Sequence, residues 1–323
     1  MTKYVISGYI GFDNFGDEAI AEVLVTHLKK IGAEKITYIS SNPQKTSQLY
    51  NVNSVGLLEF IKPIINSDVL ISGGGSLLQD VTSLKSLIYY LVVILTALLF
   101  GKKVIIFAQG FTPFRTKFGK FFTNIILKYC DTISVRDSKS QEYLASMGIS
   151  SKLVSDPAFS LTIPDVPKNG IGIQLRNNEN LSETFLQNLA NEIRKNFSDK
   201  EIKLLSLQDN LDIEALNKFK KILEEKGIKS TLYQNLNIKE TVEVLSSVEY
   251  LIGMRFHACL ISSKAKTKVL GINYDIKVEK LAKEIGFPIL DFNEKDFPDK
   301  FNELINTQVE NYKTPIFEFK DII

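Results

Sequence analysis

An arginine and a histidine lie two residues apart in the segment Gly253-Met254-Arg255-Phe256-His257, where a predicted strand meets a predicted helix. In open α/β sheets, ligands bind outside the carboxyl ends of strands, where helix N-termini present free N–H groups. A guanidinium at such a junction can bind an anion, and an imidazole can transfer a proton. We therefore predict that Arg255 and His257 carry the chemistry. The only other histidine, His27, lies within a helical pattern and is expected to be structural.

A glycine-rich turn runs from Gly8 to Ala19, after a short apolar run. It has neither the Gly-x-Gly-x-x-Gly spacing of a dinucleotide site nor the Gly-Lys-Ser/Thr ending of a P-loop. Asp17 is suited to cap the helix that follows. Tyr9, Phe12 and Asp13 have no such structural reason, and aromatic rings beside a carboxylate are a common way to hold a sugar. The alternative is a purely structural turn.

Three consecutive glycines follow the next apolar run, at the start of Ser72–Asp80. Consecutive glycine N–H groups can form a concave donor site for an oxyanion or a sugar hydroxyl. The alternative is that glycine is needed only for close packing of strand on helix. Together with the first turn, the pattern predicts backbone contact with a ligand at this edge, and the candidate acceptor-binding residues here are Gly74, Gly75 and Gln79.

Arg136 follows another strand-like segment, Thr132–Val135. A planar guanidinium at the carboxyl end of a strand can clamp a carboxylate or a phosphate. Two structural alternatives stay open: a solvated cation, or a salt bridge to Asp137 or another neighbouring acid.

Composition limits the classes of function. The 323 residues are 44% hydrophobic and 24% charged, so a large core is expected and disorder is not. The net charge of +2 comes from 39 basic and 37 acidic residues, which argues against a dedicated nucleic-acid binder. Cys130 and Cys259 are far apart in sequence, so we expect neither a disulfide framework nor a thiolate metal site. Met1–Gly8 does not resemble a signal peptide, and cytoplasmic residence is expected.

The most apolar stretch is Leu87–Phe100. At about 14 residues it is shorter than the roughly 18 that a bilayer-spanning helix needs. The interpretation we favour is a buried helix. The alternative is a partly exposed apolar face that contacts a membrane or a partner subunit.

Short apolar runs alternate with amphipathic stretches along the chain, which predicts parallel, doubly wound sheets. In the first half, the predicted strands are Tyr4–Ser7, Lys35–Ser40, Asp68–Ser72, Val104–Ala108, Thr132–Val135 and Lys152–Leu153. The predicted helices there are Asp17–Ile31, Phe60–Ile65, Leu84–Leu99, Thr116–Lys128 and Ser138–Met147.

A second alternating set follows a proline-containing linker at Asp156–Asn169. Its predicted strands are Gly170–Leu175, Ile202–Leu207, Ser230–Tyr233, Glu249–Ile252, Lys268–Ile272 and Ile289–Leu290. Its predicted helices are Ser182–Asn196, Asp212–Lys226, Ile238–Ser247, Phe256–Ala265 and Lys277–Ile285. The fold class expected is α/β, with Rossmann-like domains at 1–165 and 166–323 facing across a cleft, and with a C-terminal tail in the second.

Five motifs occur in order along the chain: Gly8–Ala19, Ser72–Asp80, Ser134–Asp137, Asp156–Ala158 and Gly253–Ala258. Together they resemble the polysaccharide pyruvyl transferase family, specifically its CsaB type, from Tyr4 to about Gly286. The resemblance implies a fold like that of GT-B glycosyltransferases, without a nucleotide-sugar donor. It also implies transfer of pyruvate from phosphoenolpyruvate to a sugar as a cyclic ketal. In CsaB proteins the acceptor is an N-acetylmannosamine unit of a secondary cell-wall polysaccharide.

This reaction gives the candidate residues roles. Arg255, Arg136 and Lys277, with His257, would bind the donor and neutralise the carboxylate and phosphate of phosphoenolpyruvate. The second domain is expected to be the phosphoenolpyruvate side. His257 is the candidate proton donor, and Asp13 or Asp17 would orient or deprotonate the acceptor hydroxyl in the first domain. The chemistry needs no metal and no cofactor besides the co-substrate phosphoenolpyruvate. The expected partner is a saccharide acceptor, lipid-linked at the inner face of the plasma membrane, and a homo-oligomer stays open.

Three departures from the family pattern concern the acceptor pocket. Phe256 replaces a common leucine, the family's Gly-Ile-Gly-Pro turn is represented by 110–113, and its Gly-Phe-Gly/Asn loop by 11–13. The identity of the acceptor sugar is therefore less certain than the reaction. Two other classes of function stay open: a glycosyltransferase with a nucleotide-sugar donor, and a sugar-binding module without turnover.

Overall fold

The computed structural model describes residues 1–292, 297–320 and 322–323. The chain divides into two compact units, which we call the first unit (residues 1–161 with 316–323) and the second unit (residues 162–315). The observed boundary falls four residues before the predicted one. Each unit is built on a parallel sheet with helices, as the alternating pattern predicted. The cleft expected between them stays a prediction.

The sheet of the first unit has the strand order β3-β2-β1-β4-β5-β6-β7, and its recorded pairs are parallel. Its strands are β1 Lys3–Ser7, β2 Lys35–Ser40, β3 Asn53–Gly56, β4 Val69–Gly73, β5 Lys103–Gln109, β6 Thr132–Val135 and β7 Lys152–Leu153. Its helices are α1 Phe15–Lys30, α2 Pro43–Tyr50, α3 Ile61–Ile65, α4 Leu84–Leu99, α5 Lys117–Leu127 and α6 Ser138–Ser146. Because the order reverses at β1 and β4, the loops after these strands lie at a switch point, where ligands bind in such sheets.

The sheet of the second unit has the order β10-β9-β8-β11-β12-β13, again with parallel pairs. Its strands are β8 Ile171–Gln174, β9 Ile202–Leu205, β10 Ser230–Tyr233, β11 Tyr250–Gly253, β12 Lys268–Ile272 and β13 Ile289–Leu290. Its helices are α7 Glu183–Asn196, α8 Asp209–Glu225, α9 Ile238–Ser246, α10 Phe256–Lys264, α11 Ile276–Ile285 and α12 Phe297–Asn306. The switch point here lies between β8 and β11, so the motif that contains Arg255 leaves the sheet beside it.

Three elements were missed from the sequence: α2, β3 and α12. The helix α2 is polar, and its start is set by the Asn42 side chain, which accepts a hydrogen bond from the N–H of Lys45, and by proline in its first turn. The strand β3 is a four-residue edge strand without a buried residue. Neither α2 nor β3 therefore shows the apolar periodicity on which the prediction relied.

The C-terminal tail lies with the first unit, which corrects the prediction that it belongs to the second domain. Hydroxyl groups of Ser155 and Ser160 donate to the carbonyls of Ile316 and Phe317. The ring of Phe319 stacks on His27, with centroids 3.6 Å apart, and on Phe107. His27 thus takes part in packing, in agreement with the structural role expected for it. The tail is joined to the first unit by tertiary contacts, which the short sequence of the tail does not predict.

The apolar stretch predicted to be a buried helix forms α4, but only one of its faces is buried. Leu87, Leu91 and Ile94 are in the core, whereas Ile88 and Val92 are exposed. In the described part of the chain, the helices are all too short or too polar to span a bilayer.

Gly74 provides a test of how the turn after β4 packs on α1. It has a φ of +72°, and a Cβ there would lie 2.6 Å from Cγ2 of Ile20. We expect Gly74→Ala to lower the free energy of unfolding by about 2–4 kcal/mol, because strain and overpacking add. Urea unfolding followed by circular dichroism measures this loss.

The matched control is Gly32→Ala, since Gly32 has a φ of +77° and nothing within 4 Å of a Cβ. This control carries backbone strain alone, at about 1 kcal/mol. Equal losses in the two variants would contradict the packing role.

Candidate functional site

Arg255 is fixed by a buried ion pair at the carboxyl edge of the second sheet. It is the residue before α10, and its side chain is 8% exposed. Its Nε lies 3.0 Å and its Nη2 2.6 Å from oxygens of Asp212, and Nη1 donates to Oε1 of Gln208 at 3.1 Å. From the sequence, this guanidinium was predicted to bind an anion. Instead, each guanidinium nitrogen has a partner inside the protein, so an anion would have to share this group with Asp212.

Gln174, the last residue of β8, completes the network. Its Oε1 accepts the backbone N–H of Arg255 at 2.7 Å, and its Nε2 donates to Asp212 at 3.2 Å. Asp212 also accepts the backbone N–H groups of Leu207 and Gln208. The network therefore ties the ends of β8 and β11 to the loop after β9. It fixes the position and direction of the first turn of α10, where His257 lies.

His257 is the second residue of α10 and is partly exposed. Its ring meets the ring of Phe256 edge to face, with centroids 5.0 Å apart. The strand and helix on either side were predicted within one residue of their observed bounds. The structure thus places the imidazole at the strand–helix junction, as expected, while its role as a proton donor stays a prediction.

Two further residues at this edge were missed from the sequence, Arg176 and Tyr274. Cζ of Arg176 lies 5.9 Å from the ring centroid of Tyr274. Burial raises the pKa of Tyr274, although the nearby charges of Arg255 and Arg176 oppose the shift. Arg176 follows β8 just as Arg136 follows β6, so its position after a strand was a usable signal. Lys277 lies close by in sequence, in the first turn of α11, where Asp275 accepts its backbone N–H.

The first unit presents a stacked aromatic pair after β1. The rings of Tyr9 and Phe12 are nearly parallel, with centroids 4.1 Å apart. Asp13 follows with a φ of +56° and forms an exposed ion pair with Lys45 at 2.6 Å. The three residues predicted to hold a sugar are thus adjacent in space. The two rings cover each other on one face, and Tyr9 also packs against the core of the first unit.

Asp17 lies inside the first turn of α1, and the predicted cap is wrong. Asn14 caps the helix, since its Oδ1 accepts the N–H of Gly16 and its Nδ2 donates to Asp17 at 2.7 Å. A Cβ on Gly75 would lie 2.6 Å from Oδ1 of Asp17. The structure therefore brings Asp17 and the glycine turn after β4 together, which their separation in sequence does not show.

Glu18 is a buried carboxylate that sequence reasoning missed. It accepts the N–H of Gly11 at 2.8 Å and the hydroxyl of Tyr50. Burial raises its pKa, against the effect of these two hydrogen bonds. Because Gly11 belongs to the turn that contains Phe12 and Asp13, Glu18 positions that turn from beneath.

Of the consecutive glycine N–H groups predicted to form a donor site, that of Gly74 is used within the fold. The N–H of Gly74 donates to the carbonyl of Phe107, which extends the ladder between β4 and β5, and the carbonyl of Gly75 accepts from Gly110. Gln79 is also occupied locally: its Oε1 accepts the N–H groups of Val81 and Thr82. These groups shape the turn, and their contact with an acceptor stays a prediction.

Arg136 takes one of the structural alternatives left open. Its Nη1 lies 2.7 Å from Oδ2 of Asp156, and both side chains are buried. Its Nη2 is 3.4 Å from the hydroxyl of Ser76. Two motifs that are 20 residues apart thus meet at the carboxyl edge of the first sheet. Arg136 lies in the first unit, and its role as a donor-binding residue stays a prediction.

Across the described residues, no group of three or more His, Cys, Asp and Glu side chains is arranged to hold a metal ion. The sequence pattern of the family described as polysaccharide pyruvyl transferase matches residues 14–276. The chain belongs to this family. Its members are transferases, and the match includes both arginine-containing motifs and the first turn of α10. A comparison with curated protein sequences gave no match.

Solved structures with the same fold cover nearly the whole chain. The UDP-GlcNAc 2-epimerase from Methanocaldococcus jannaschii is 14% identical, with a TM-score of 0.71 over 99% of this chain and 97% of its own. A glycosyltransferase from Rickettsia africae ESF-5 is 13% identical, with a TM-score of 0.63 over 96% and 90%. At these identities the likeness shows the fold alone. It confirms the predicted class of two parallel-sheet α/β domains with a GT-B-like fold.

Asp80 provides a pH-dependent test of the turn after β4. Partial burial opposes its ionisation, but hydrogen bonds from the Thr116 hydroxyl and the N–H groups of Arg115 and Thr116 lower its pKa overall. The ionised carboxylate therefore stabilises the fold above about pH 4, and this contribution is lost as the pH falls through the lowered pKa. We expect Asp80→Asn to be less stable than the native protein at pH 7, with a difference that shrinks by pH 3. Urea unfolding at pH 7, 5 and 3 measures the difference, and a constant difference would contradict the assignment.

Asp212 tests the buried ion pair. Asp212→Ala leaves the buried guanidinium of Arg255 without its counter-charge, which costs about 3–5 kcal/mol in such pairs. Lys283→Gln is the control in the same unit, because its pair with Glu279 is exposed and is worth less than about 1 kcal/mol. Urea unfolding measures both losses. If the two variants lose the same stability, the network does not hold the strand ends.

Proposed function

We propose that the protein transfers pyruvate from phosphoenolpyruvate to a saccharide as a cyclic ketal, with release of phosphate. The acceptor we propose, as in the CsaB type, is an N-acetylmannosamine unit of a cell-wall or surface polysaccharide precursor. The observation that carries the proposal is Arg255 and His257 at the strand–helix junction of a chain that belongs to the polysaccharide pyruvyl transferase family.

The cations of the second unit support a donor site there. Phosphoenolpyruvate carries a carboxylate and a phosphate, and Arg176, Arg255 and Lys277 follow three strands of one parallel sheet at the same edge. The first turn of α10 adds backbone N–H groups and the positive end of the helix dipole. Because Asp212 already compensates Arg255, we expect further cations of this edge to share in neutralising the donor.

The proposed reaction proceeds through proton transfer and two attacks on one carbon. His257 gives a proton to the vinyl carbon of phosphoenolpyruvate, which makes C2 electrophilic. A sugar hydroxyl attacks C2 and loses its proton to a carboxylate base. The bond from C2 to the phosphate oxygen then breaks, and its electron pair leaves with phosphate. A second hydroxyl attacks C2 and returns its proton to His257, which closes the ring. The enzyme uses no cofactor in this scheme, since phosphoenolpyruvate is a co-substrate.

The acceptor side is proposed at the carboxyl edge of the first sheet. Phe12, which stacks on the core-packed Tyr9, is the ring proposed to stack on a sugar. Asp17, beside Gly75, and the exposed Asp13 are the two candidate bases. Each already has a partner, since Asp13 is paired with Lys45 and Asp17 accepts a hydrogen bond from Asn14, so both stay candidates.

A phosphate-release assay tests the function and the role of His257 together. With phosphoenolpyruvate and a mannosamine-type acceptor, the native protein should release phosphate only when the acceptor is present. His257→Ala should reduce this rate at least about 100-fold, the usual contribution of a general acid, while phosphoenolpyruvate still binds by calorimetry.

The control is His27→Ala, which removes the only other histidine, a residue of the first unit whose ring packs on Phe319. It should keep the rate of the native protein under conditions where it is folded. Near-native turnover by His257→Ala would remove the proposed proton donor, and absence of phosphate release by the native protein with defined glycans would contradict the reaction itself.

The fold likeness to an enzyme described as a glycosyltransferase favours one second candidate, transfer from a nucleotide sugar. Consumption of a nucleotide sugar, with no phosphate release from phosphoenolpyruvate, would support it. Inertness with both donors would instead support a sugar-binding module.

A further inference from the structure

Two neighbouring helices of the first unit expose apolar side chains on one surface. Along α4 the exposed residues recur every three or four positions, which is one face of a helix. The same holds for α5. We call this surface the apolar face, and its members are Ile88, Val92, Leu95, Leu99, Phe118, Phe121, Phe122 and Ile125.

The two stripes belong to one surface. Because β4, β5 and β6 are neighbours in a parallel sheet, right-handed crossovers place α4 and α5 on the same side of it. The helices also touch, since a Cβ on Gly119 of α5 would lie 2.9 Å from Leu87 of α4. Leu99 is 76% exposed and Phe121 60%. Contiguous apolar surface of this kind, in place of scattered single residues, marks a site of interaction.

The charge on α4, α5 and the chain that joins them is of one sign. The sequence from Val81 to Cys130 contains seven basic residues and no Asp or Glu, although the whole chain has a net charge of only +2. Of these, Lys117, Lys120 and Lys128 are exposed on or just after α5. The acids that border the segment are occupied: Asp80 by the N–H groups of Arg115 and Thr116, and Asp131 by the N–H of Val104.

We propose that the apolar face docks on the surface of an anionic lipid bilayer. Aromatic and aliphatic side chains would enter the boundary between headgroups and acyl chains, while the lysines reach anionic headgroups. The helix α4 is about 24 Å long, which is shorter than the roughly 30 Å hydrocarbon core, so it lies on the bilayer and does not span it.

The charge favours a bilayer over a second copy of the chain. In a symmetric dimer the same patch meets itself, so the +7 segment of one copy would face the +7 segment of the other. An anionic membrane instead offers the opposite charge over an extended surface.

Docking would also orient the proposed acceptor edge. Phe118 and Phe121 lie in the first half of α5, which begins beyond the carboxyl end of β5. The carboxylate of Asp80 binds Thr116, the cap of α5, and so joins this helix to the turn that contains Gly75. A docked protein would therefore bind a lipid-linked saccharide at the edge of the first sheet where Asp17 lies. This consequence depends on the proposed function, whereas docking itself does not.

Vesicle sedimentation with the full chain tests the docking. The protein should bind vesicles of phosphatidylcholine with 30% phosphatidylglycerol, bind phosphatidylcholine alone much more weakly, and be released by added salt. Phe118→Ser with Phe121→Ser should lower the partition at least about tenfold. Lys117→Gln with Lys120→Gln should lower it about fivefold for each lysine removed.

The controls lie away from the apolar face. Ile31→Ser and Lys30→Gln change an exposed apolar residue and an exposed lysine at the end of α1, whose crossover places it on the opposite side of the sheet. Both should keep native partition. Val92→Ser with Leu95→Ser repeats the apolar test on α4, and thermal unfolding of every variant confirms that only folded protein is compared.

Three outcomes would overturn the proposal. The first is no binding of the native protein to the anionic vesicles. The second is equal loss of binding in the controls and in the variants of the apolar face. The third is a dimer, found by light scattering, that dissociates in Phe118→Ser with Phe121→Ser, because the face would then be an interface between copies. A failed phosphate-release assay with intact vesicle binding would leave docking in place and remove only the reaction.

Discussion

The buried pair of Arg255 and Asp212 is the interaction on which the candidate donor site depends. A guanidinium that is 8% exposed cannot stay charged in the interior without a counter-charge and hydrogen-bond partners. Asp212 supplies the charge, and Gln174 and Gln208 supply the remaining contacts. These partners come from segments that follow different strands. The contacts that compensate the guanidinium therefore also hold those segments together at the edge of the sheet. The direction of α10, and hence the position of its imidazole, follows from that constraint.

The first unit solves a similar problem with the pair of Arg136 and Asp156. The guanidinium again follows a strand, and the carboxylate again comes from a later segment. Asp156 also accepts the N–H of Ala158, so the chain that leaves the first unit is held by the same carboxylate. In both units, the arginine that follows a strand looks like an anion ligand in the sequence. In the structure it instead forms a buried ion pair with an aspartate of another segment. The cations less committed to internal pairs, such as Arg176, then matter more for a ligand.

The helix α4 has one buried face and one exposed face, and the two have different roles. Its inward face packs Leu87 and Ile94 into the core of the first unit, and its outward face joins α5 in the apolar face. A helix that only had to pack against a sheet would carry polar residues outside, since these keep a protein soluble. The departure from that pattern, together with the basic charge of residues 81–130, supports the proposed docking of this face on a bilayer.

The sequence by itself determined the fold class, the order of most helices and strands, and the strand–helix junction that carries Arg255 and His257. These follow from local rules: apolar periodicity, glycine at turns, and the loops that leave parallel strands. It did not show α2 or β3, whose residues are too polar or too few to give a periodic signal. Nor did it show the partners of the two arginines, the occupied N–H of Gly74, or the packing of Phe319 on His27 in the first unit. Only the tertiary structure decided these, because each depends on which distant segments the sheets bring within hydrogen-bond or van der Waals distance.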